Sequence, residues 1–199
     1  FSIVTYTGTG SAGTVAHGIG VAPTVILTKR RDDTEDWVVL HLSGQGNDRI
    51  SRLNTTDASS GLVQSGAWND TSPTSTVFSL GSGSATNGSS RTIVAYCFAP
   101  IQGYSKFGSY TANNSTDGPF VYLGFKPAWI MIRNTSAEAG WPIADTKREV
   151  GNPFAQEILF ANVNYAETSY ANGVDFLSNG FKVRSTGSNG VFNANNTSH

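Results

Sequence analysis

Sulfur and charge are both scarce in this sequence. One cysteine, Cys97, and one methionine occur in 199 residues, so no disulfide can form within the chain, and a lone Cys in the apolar run Ile93-Val94-Ala95-Tyr96-Cys97-Phe98 reads as a small buried hydrophobe. Lys and Arg number 13 against 14 Asp and Glu. That balance provides no basic surface for neutralising phosphates, and nucleic acid is not an expected partner. No apolar stretch approaches the ~20 residues that cross a bilayer, and no basic region followed by an apolar run and a cleavage site opens the chain, so a soluble protein without membrane insertion is expected. The three histidines are widely separated, which discourages a metal or nucleophile-and-base constellation. Position 1 is Phe rather than Met, so a processed chain or an excerpt of a longer one is expected.

Glycine is abundant, at 22 residues. With many Ser, Thr and Asn for turns and Val, Ile, Phe and Tyr for strands, it predicts short strands joined by many turns. The chain also matches itself. At a spacing of 104, Tyr6, Thr7, Ser11, Gly20, Pro23, Ile26 and Trp37 recur as Tyr110, Thr111, Ser115, Gly124, Pro127, Ile130 and Trp141. That is seven identities in 32 ungapped positions, where chance gives about two. The duplication predicts two tandem antiparallel β-sandwich domains of similar fold, 1-100 and 101-199, with a linker near Ala99 to Gly103 where Pro and Gly end a strand.

Strands are predicted at Ser2 to Thr7, Gly13 to Ala16, Thr24 to Arg30, Trp37 to Leu42, Arg49 to Asn54, Thr76 to Leu80 and Thr92 to Phe98. The second copy repeats them at Phe120 to Leu123, Trp129 to Arg133 and Gly180 to Arg184, with a helical turn at Pro153 to Leu159 started by Pro153. No counterpart of Thr92 to Phe98 is visible in the second copy. The corresponding residues, Asn195 to His199, carry no apolar side chain. The second domain is therefore expected to lack its last strand, with the gap filled by chain beyond His199 or by a neighbouring subunit.

Phe1-Ser2-Ile3-Val4-Thr5-Tyr6-Thr7-Gly8 with Gly13 through Pro23, and in the second copy Gly124-Phe125-Lys126-Pro127-Ala128-Trp129-Ile130-Met131-Ile132 and Asp175 through Lys182, resemble a module of bacteriophage virion proteins, especially of marine phages. The resemblance covers nearly the whole chain. It implies a non-enzymatic structural protein of the particle: a tail fibre, an appendage or a capsid decoration with an adhesive role in host attachment. Other virion proteins, a further copy of the chain and a host-surface glycan would be its partners, and the virion its location. The alternatives are a secreted or cell-surface carbohydrate-binding module and a glycan hydrolase.

The residues themselves offer few sites. The acidic run Asp32-Asp33-Thr34-Glu35-Asp36 lacks calcium-loop spacing and reads as a solvated hairpin tip, so no metal and no cofactor are expected. No catalytic group is assigned, and His17 reads as structural. Trp37 and Trp141 recur in both copies and are expected in the core, with Pro23 and Pro127 as structural residues at strand starts. Trp68, in the polar stretch Gly66-Ala67-Trp68-Asn69-Asp70, is a surface candidate for stacking on a sugar or an interface, as are Tyr165 and Tyr170.

Overall fold

The fold is described from a computed structural model, covering residues 1–59, 62, 64–148, 155–186 and 191–193, with side chains 155, 156, 168 and 170–172 also left aside. The chain divides into two compact units. Unit 1 comprises Phe1–Leu53 and Ser59–Pro100, and unit 2 comprises Asn54–Ala58 and Ile101–His199.

Unit 1 contains β1 (Ser2–Thr7), β2 (Gly13–Ala16), β3 (Val25–Arg30), β4 (Val38–His41), a helical turn α1 (Leu42–Gln45), β5 (Gly46–Arg52), a second turn α2 (Ser65–Trp68), β6 (Val77–Leu80), a third turn α3 (Ser84–Asn87) and β7 (Thr92–Phe98). The strands form an antiparallel sheet in the order β1-β7-β3-β4-β5 and a separate two-stranded ladder, β2-β6. Alternation drives the packing. Ile93, Ala95 and Cys97 of β7 are fully buried, and Ala95 and Cys97 join Ile26, Val38, Leu40, Ile50 and Phe78 in one core, while Val94, Tyr96 and Phe98 point to the other face. Pro23 is buried just ahead of β3, and Gly20 before it holds φ at +83°, a conformation that suits glycine.

Unit 2 contains β8 (Phe120–Tyr122), β9 (Trp129–Met131), β10 (Pro142–Asp145), β11 (Ala155–Phe160), β12 (Thr168–Leu177) and β13 (Gly180–Val183). They form one six-stranded antiparallel sheet in the order β8-β13-β12-β11-β10-β9. Ile130, Ile132, Ala144, Ile158, Val174, Phe176, Phe181 and Val183 pack into a single core, with Val121 of β8 against it. Gly124 holds φ at +85° ahead of buried Pro127, as Gly20 does ahead of Pro23.

Three expectations need correction. The helical turn predicted over Pro153 to Leu159 is a strand from Ala155 onward, while Pro153 lies outside the described residues. Pairing with both β10 and β12 and burial of Ile158 outweigh the helix-forming Ala, Gln and Glu. The ungapped alignment slips by two around β8: Val15 pairs with Phe78 and Val121 with Phe181, so Val15 corresponds to Val121, and His17 does not. The long β12 occupies the chain positions that correspond to α2, and it joins in unit 2 the two ladders that unit 1 keeps apart. Asn195 to His199, where the second copy is expected to lack its closing strand, lie outside the described residues.

Candidate functional site

Polar groups buried in each unit are spent on shaping loops. Tyr6, on β1, donates from its hydroxyl to the Thr86 carbonyl at 2.6 Å and meets the Phe78 ring edge-on with centroids 6.1 Å apart. Tyr110 donates to the Phe192 carbonyl at 2.5 Å and meets Phe181 in the same way, also at 6.1 Å. Burial pushes both phenols well above the usual tyrosine range, so they stay protonated donors. Beside each latch sits a buried asparagine. Asn87 accepts from Thr9 N–H at 2.8 Å and donates to the Ser11 and Gly81 carbonyls, each at 2.7 Å. Asn193 accepts from Asn113 N–H at 2.8 Å and donates to the Ser115 and Ser185 carbonyls at 2.8 and 2.9 Å. Both amides thus use their acceptor and both donors on backbone, and each fixes an exposed loop that follows the latch tyrosine. Sequence reasoning singled out neither Asn, because Asn is common here. Their recurrence at a spacing of 106 was the available signal.

A second matched position lies at the end of β4 and β10. His41 Nδ1 accepts from Gly44 N–H at 3.0 Å and caps α1. At the equivalent place Asp145 Oδ1 accepts from Lys147 and Arg148 N–H at 2.9 and 3.0 Å. Burial holds the His41 imidazole below its usual range. Burial pushes the Asp145 carboxyl up, but hydrogen bonds from the Arg148 side chain and the two backbone N–H groups outweigh it and leave the group below the ordinary carboxylate range.

The groups weighed for chemistry are engaged elsewhere. His17 is buried, with Nε2 at 3.0 Å from the Thr74 carbonyl and Nδ1 accepting from Ile19 N–H at 3.2 Å, which makes Nε2 the protonated nitrogen and the role structural. Cys97 is a buried core residue whose thiol burial pushes up to about 11. The acidic run is tied down by arginines: buried Arg30 pairs with Asp33 and, at 3.1 Å, with Glu35, while Arg52 pairs with Asp36 at 3.0 Å. Asp32 accepts from Thr92 N–H at 2.9 Å, a bond that holds its carboxyl below the usual range. Among the described residues no three His, Cys, Asp or Glu side chains gather as a metal site, and no helix is long and apolar enough to cross a membrane.

The aromatic candidates separate sharply. Trp68 is not on the surface: it is 0% exposed, within the unit 1 core. The turn α2 makes this happen, because Asn69 (φ 53°) and Asp70 (φ 46°) reverse the chain directly after it. Trp141 is buried and stacks against the Arg133 guanidinium at 5.4 Å. Burial draws that guanidinium down to about 10, still charged at neutral pH. Trp37 is only half-buried and lies on Tyr96, centroids 6.1 Å apart, so its expected core place is corrected to the outer side of the sheet. The pair is nonetheless equivalent in backbone terms, since the carbonyl of each accepts a bond of 3.0 Å, from Leu53 and Ala161. Tyr165 is 69% exposed. Tyr170 lies in β12, and its side chain is outside those described.

The class defined here is a β-rich, two-unit protein whose buried polar side chains anchor its loops. The chain belongs to the family described as a domain of unknown function, DUF7483, whose model matches residues 1–198 and so spans both units. No curated protein and no solved structure matches it.

Proposed function

We propose that the protein is a non-enzymatic structural component of a bacteriophage particle, a fibre, appendage or decoration protein with an adhesive role, built from two copies of one sandwich-like domain. The observation that carries the reading is the repeated latch: Tyr6 with Asn87 and Tyr110 with Asn193 fix corresponding loops by corresponding bonds. Loops held in place by a rigid scaffold are where proteins present their contact surface. Tyr165, exposed between β11 and β12, offers an aromatic contact point of its own. The phage assignment itself rests on the resemblance of the Phe1 to Pro23 and Gly124 to Ile132 segments. Mass spectrometry and labelled-antibody imaging of purified particles test it. The protein should copurify with virions at a fixed copy number, and its absence from intact particles would sink the reading.

A further inference from the structure

One surface patch of unit 2 is rebuilt relative to its copy. Val121 packs against the unit 2 core, so Phe120 and Tyr122, its neighbours on β8, turn to the other face of the sheet. They are 45% and 60% exposed. Lys182 of β13 stands opposite Phe120 on that same face, between the core residues Phe181 and Val183. Its ammonium pairs with Asp117 at 2.5 Å. Lys106 donates to the Tyr122 carbonyl at 2.7 Å and holds its charge 5.2 Å from the centre of the Tyr122 ring. Both rings lean on glycine. A methyl group added at Gly180 would lie 3.2 Å from Phe120 Cε2, and one added at Gly124 would lie 3.5 Å from the Tyr122 hydroxyl oxygen.

The residues that build the fold recur between the copies, and these do not. Val15 and Phe78 of unit 1 return as Val121 and Phe181, and Tyr6 returns as Tyr110. On the same registers Thr14, Ala16 and Ser79 hold the places of Phe120, Tyr122 and Lys182. Ser2 stands four residues before its latch tyrosine, as Lys106 does before its own. Asp117 falls where the second copy is two residues longer, between Ser115 and Val121. Small side chains in one copy thus give way to two aromatics, two lysines and an aspartate in the other. All five lie outside the core cluster of unit 2, so packing does not account for the change.

Rings two residues apart on a strand are about 7 Å apart, which suits a ligand of two or more linked units. The face of an aromatic ring is its negative pole. The C–H face of a pyranose is apolar and weakly positive, so sugar rings stack there, while Asp117 and Lys182 offer an acceptor and donors to sugar hydroxyls. Two ammonium groups against one carboxylate leave the patch positive by one, which complements an anionic sugar. We propose that the outer face of β8 is a binding site for an acidic oligosaccharide, with sugar rings stacked on Phe120 and Tyr122 and a sugar carboxylate at Lys106. The inference gives the adhesive reading above its ligand and rests on that reading, but not on the particle role.

The test titrates the full chain, followed by its amide signals, with hexamers of galacturonate, mannuronate and sialic acid, beside maltohexaose, a glutamate hexapeptide and oligothymidylate. At least one acidic hexamer should bind saturably and move the signals of β8 and β13 while those of β2 and β6 stay in place. Phe120→Ala and Tyr122→Ala should each weaken it about tenfold, and Tyr122→Phe, which keeps the ring, should stay within about twofold of the parent. Lys106→Gln should weaken the acidic hexamer about fivefold or more at low salt. Amide exchange in the unit 2 core should be the same in all four variants, because the changed side chains are exposed. Failure of all three acidic hexamers to bind overturns the proposal, as does binding that Phe120→Ala and Tyr122→Ala leave unchanged. Maltohexaose, the glutamate peptide or oligothymidylate binding as tightly as the best acidic hexamer overturns it too. Particle imaging bears on the particle role alone, so either reading can fail by itself.

Discussion

Replacing Trp68 is the sharpest test of the unit 1 core. Its side chain is fully buried among Ile26, Leu40, Ile50 and Phe78, and its indole Nε1 has no hydrogen-bond partner among the described residues. Truncation of a buried Trp to Ala costs about 3–5 kcal/mol through lost transfer energy and the cavity left behind. The unpaired N–H works in the other direction, since a neutral buried unsatisfied donor carries a penalty of about 1 kcal/mol that the mutation relieves, which leaves a net loss of about 2–4 kcal/mol. Trp68→Phe relieves that same penalty while keeping most of the volume, so it should cost within about 1 kcal/mol. The assay is urea unfolding of the whole protein, with hydrogen exchange to place the loss in unit 1. Trp68→Ala should lower the opening free energy across β3, β4 and β7 and leave β10 to β13 unchanged. A Trp68→Ala protein within about 0.5 kcal/mol of the parent, the range of an ordinary surface change, would refute the buried placement.

Tyr6→Phe and Tyr110→Phe each remove one hydroxyl-to-carbonyl bond and should destabilise their own unit by about 1–2 kcal/mol, read by exchange in that unit. Asn87→Ala and Asn193→Ala each remove a buried amide and its bonds to three backbone groups and should cost about 3 kcal/mol, with the loop after the latch tyrosine exchanging fastest. The folded state favours neutral His41, so the unfolded chain binds the proton first as pH falls below 6.5. Unit 1 stability should therefore rise with pH through that region and level off above it, and His41→Asp, which copies the Asp145 cap, should flatten the rise. Cys97, with its thiol at about 11, should resist thiol reagents at pH 8 in the native protein and react fully once unfolded.

The strands β3 and β7 were legible because short runs rich in β-branched and aromatic residues, Val25 to Leu27 and Ile93 to Phe98, are bounded by turn residues and are too short for a helix. The duplicated Gly20-Pro23 and Gly124-Pro127 turns were legible too, since a positive φ and a fixed φ demand those residues. Trp68 was misread because its neighbours are small and polar, and only the α2 turn with two left-handed residues after it turns the ring inward. β11 was misread because its Ala, Gln and Glu favour helix locally, and the partners that make it a strand are distant in sequence. The Asn87 and Asn193 anchors were invisible for another reason. Hydrogen-bond satisfaction is a property of a place in space, and for an abundant residue type only recurrence at a spacing of 106 marked it.

The ladder of β1 with β7 pairs Ser2 with Cys97 at one end and Thr7 with Thr92 at the other, and the Phe1 and Phe98 rings stack with centroids 5.0 Å apart. Phe1 and Phe98 thus stand side by side at one end of the ladder. A pull applied to those two points would load the rungs in succession, starting at Ser2 and Cys97, so the sheet would open like a zipper at low force instead of shearing as a block.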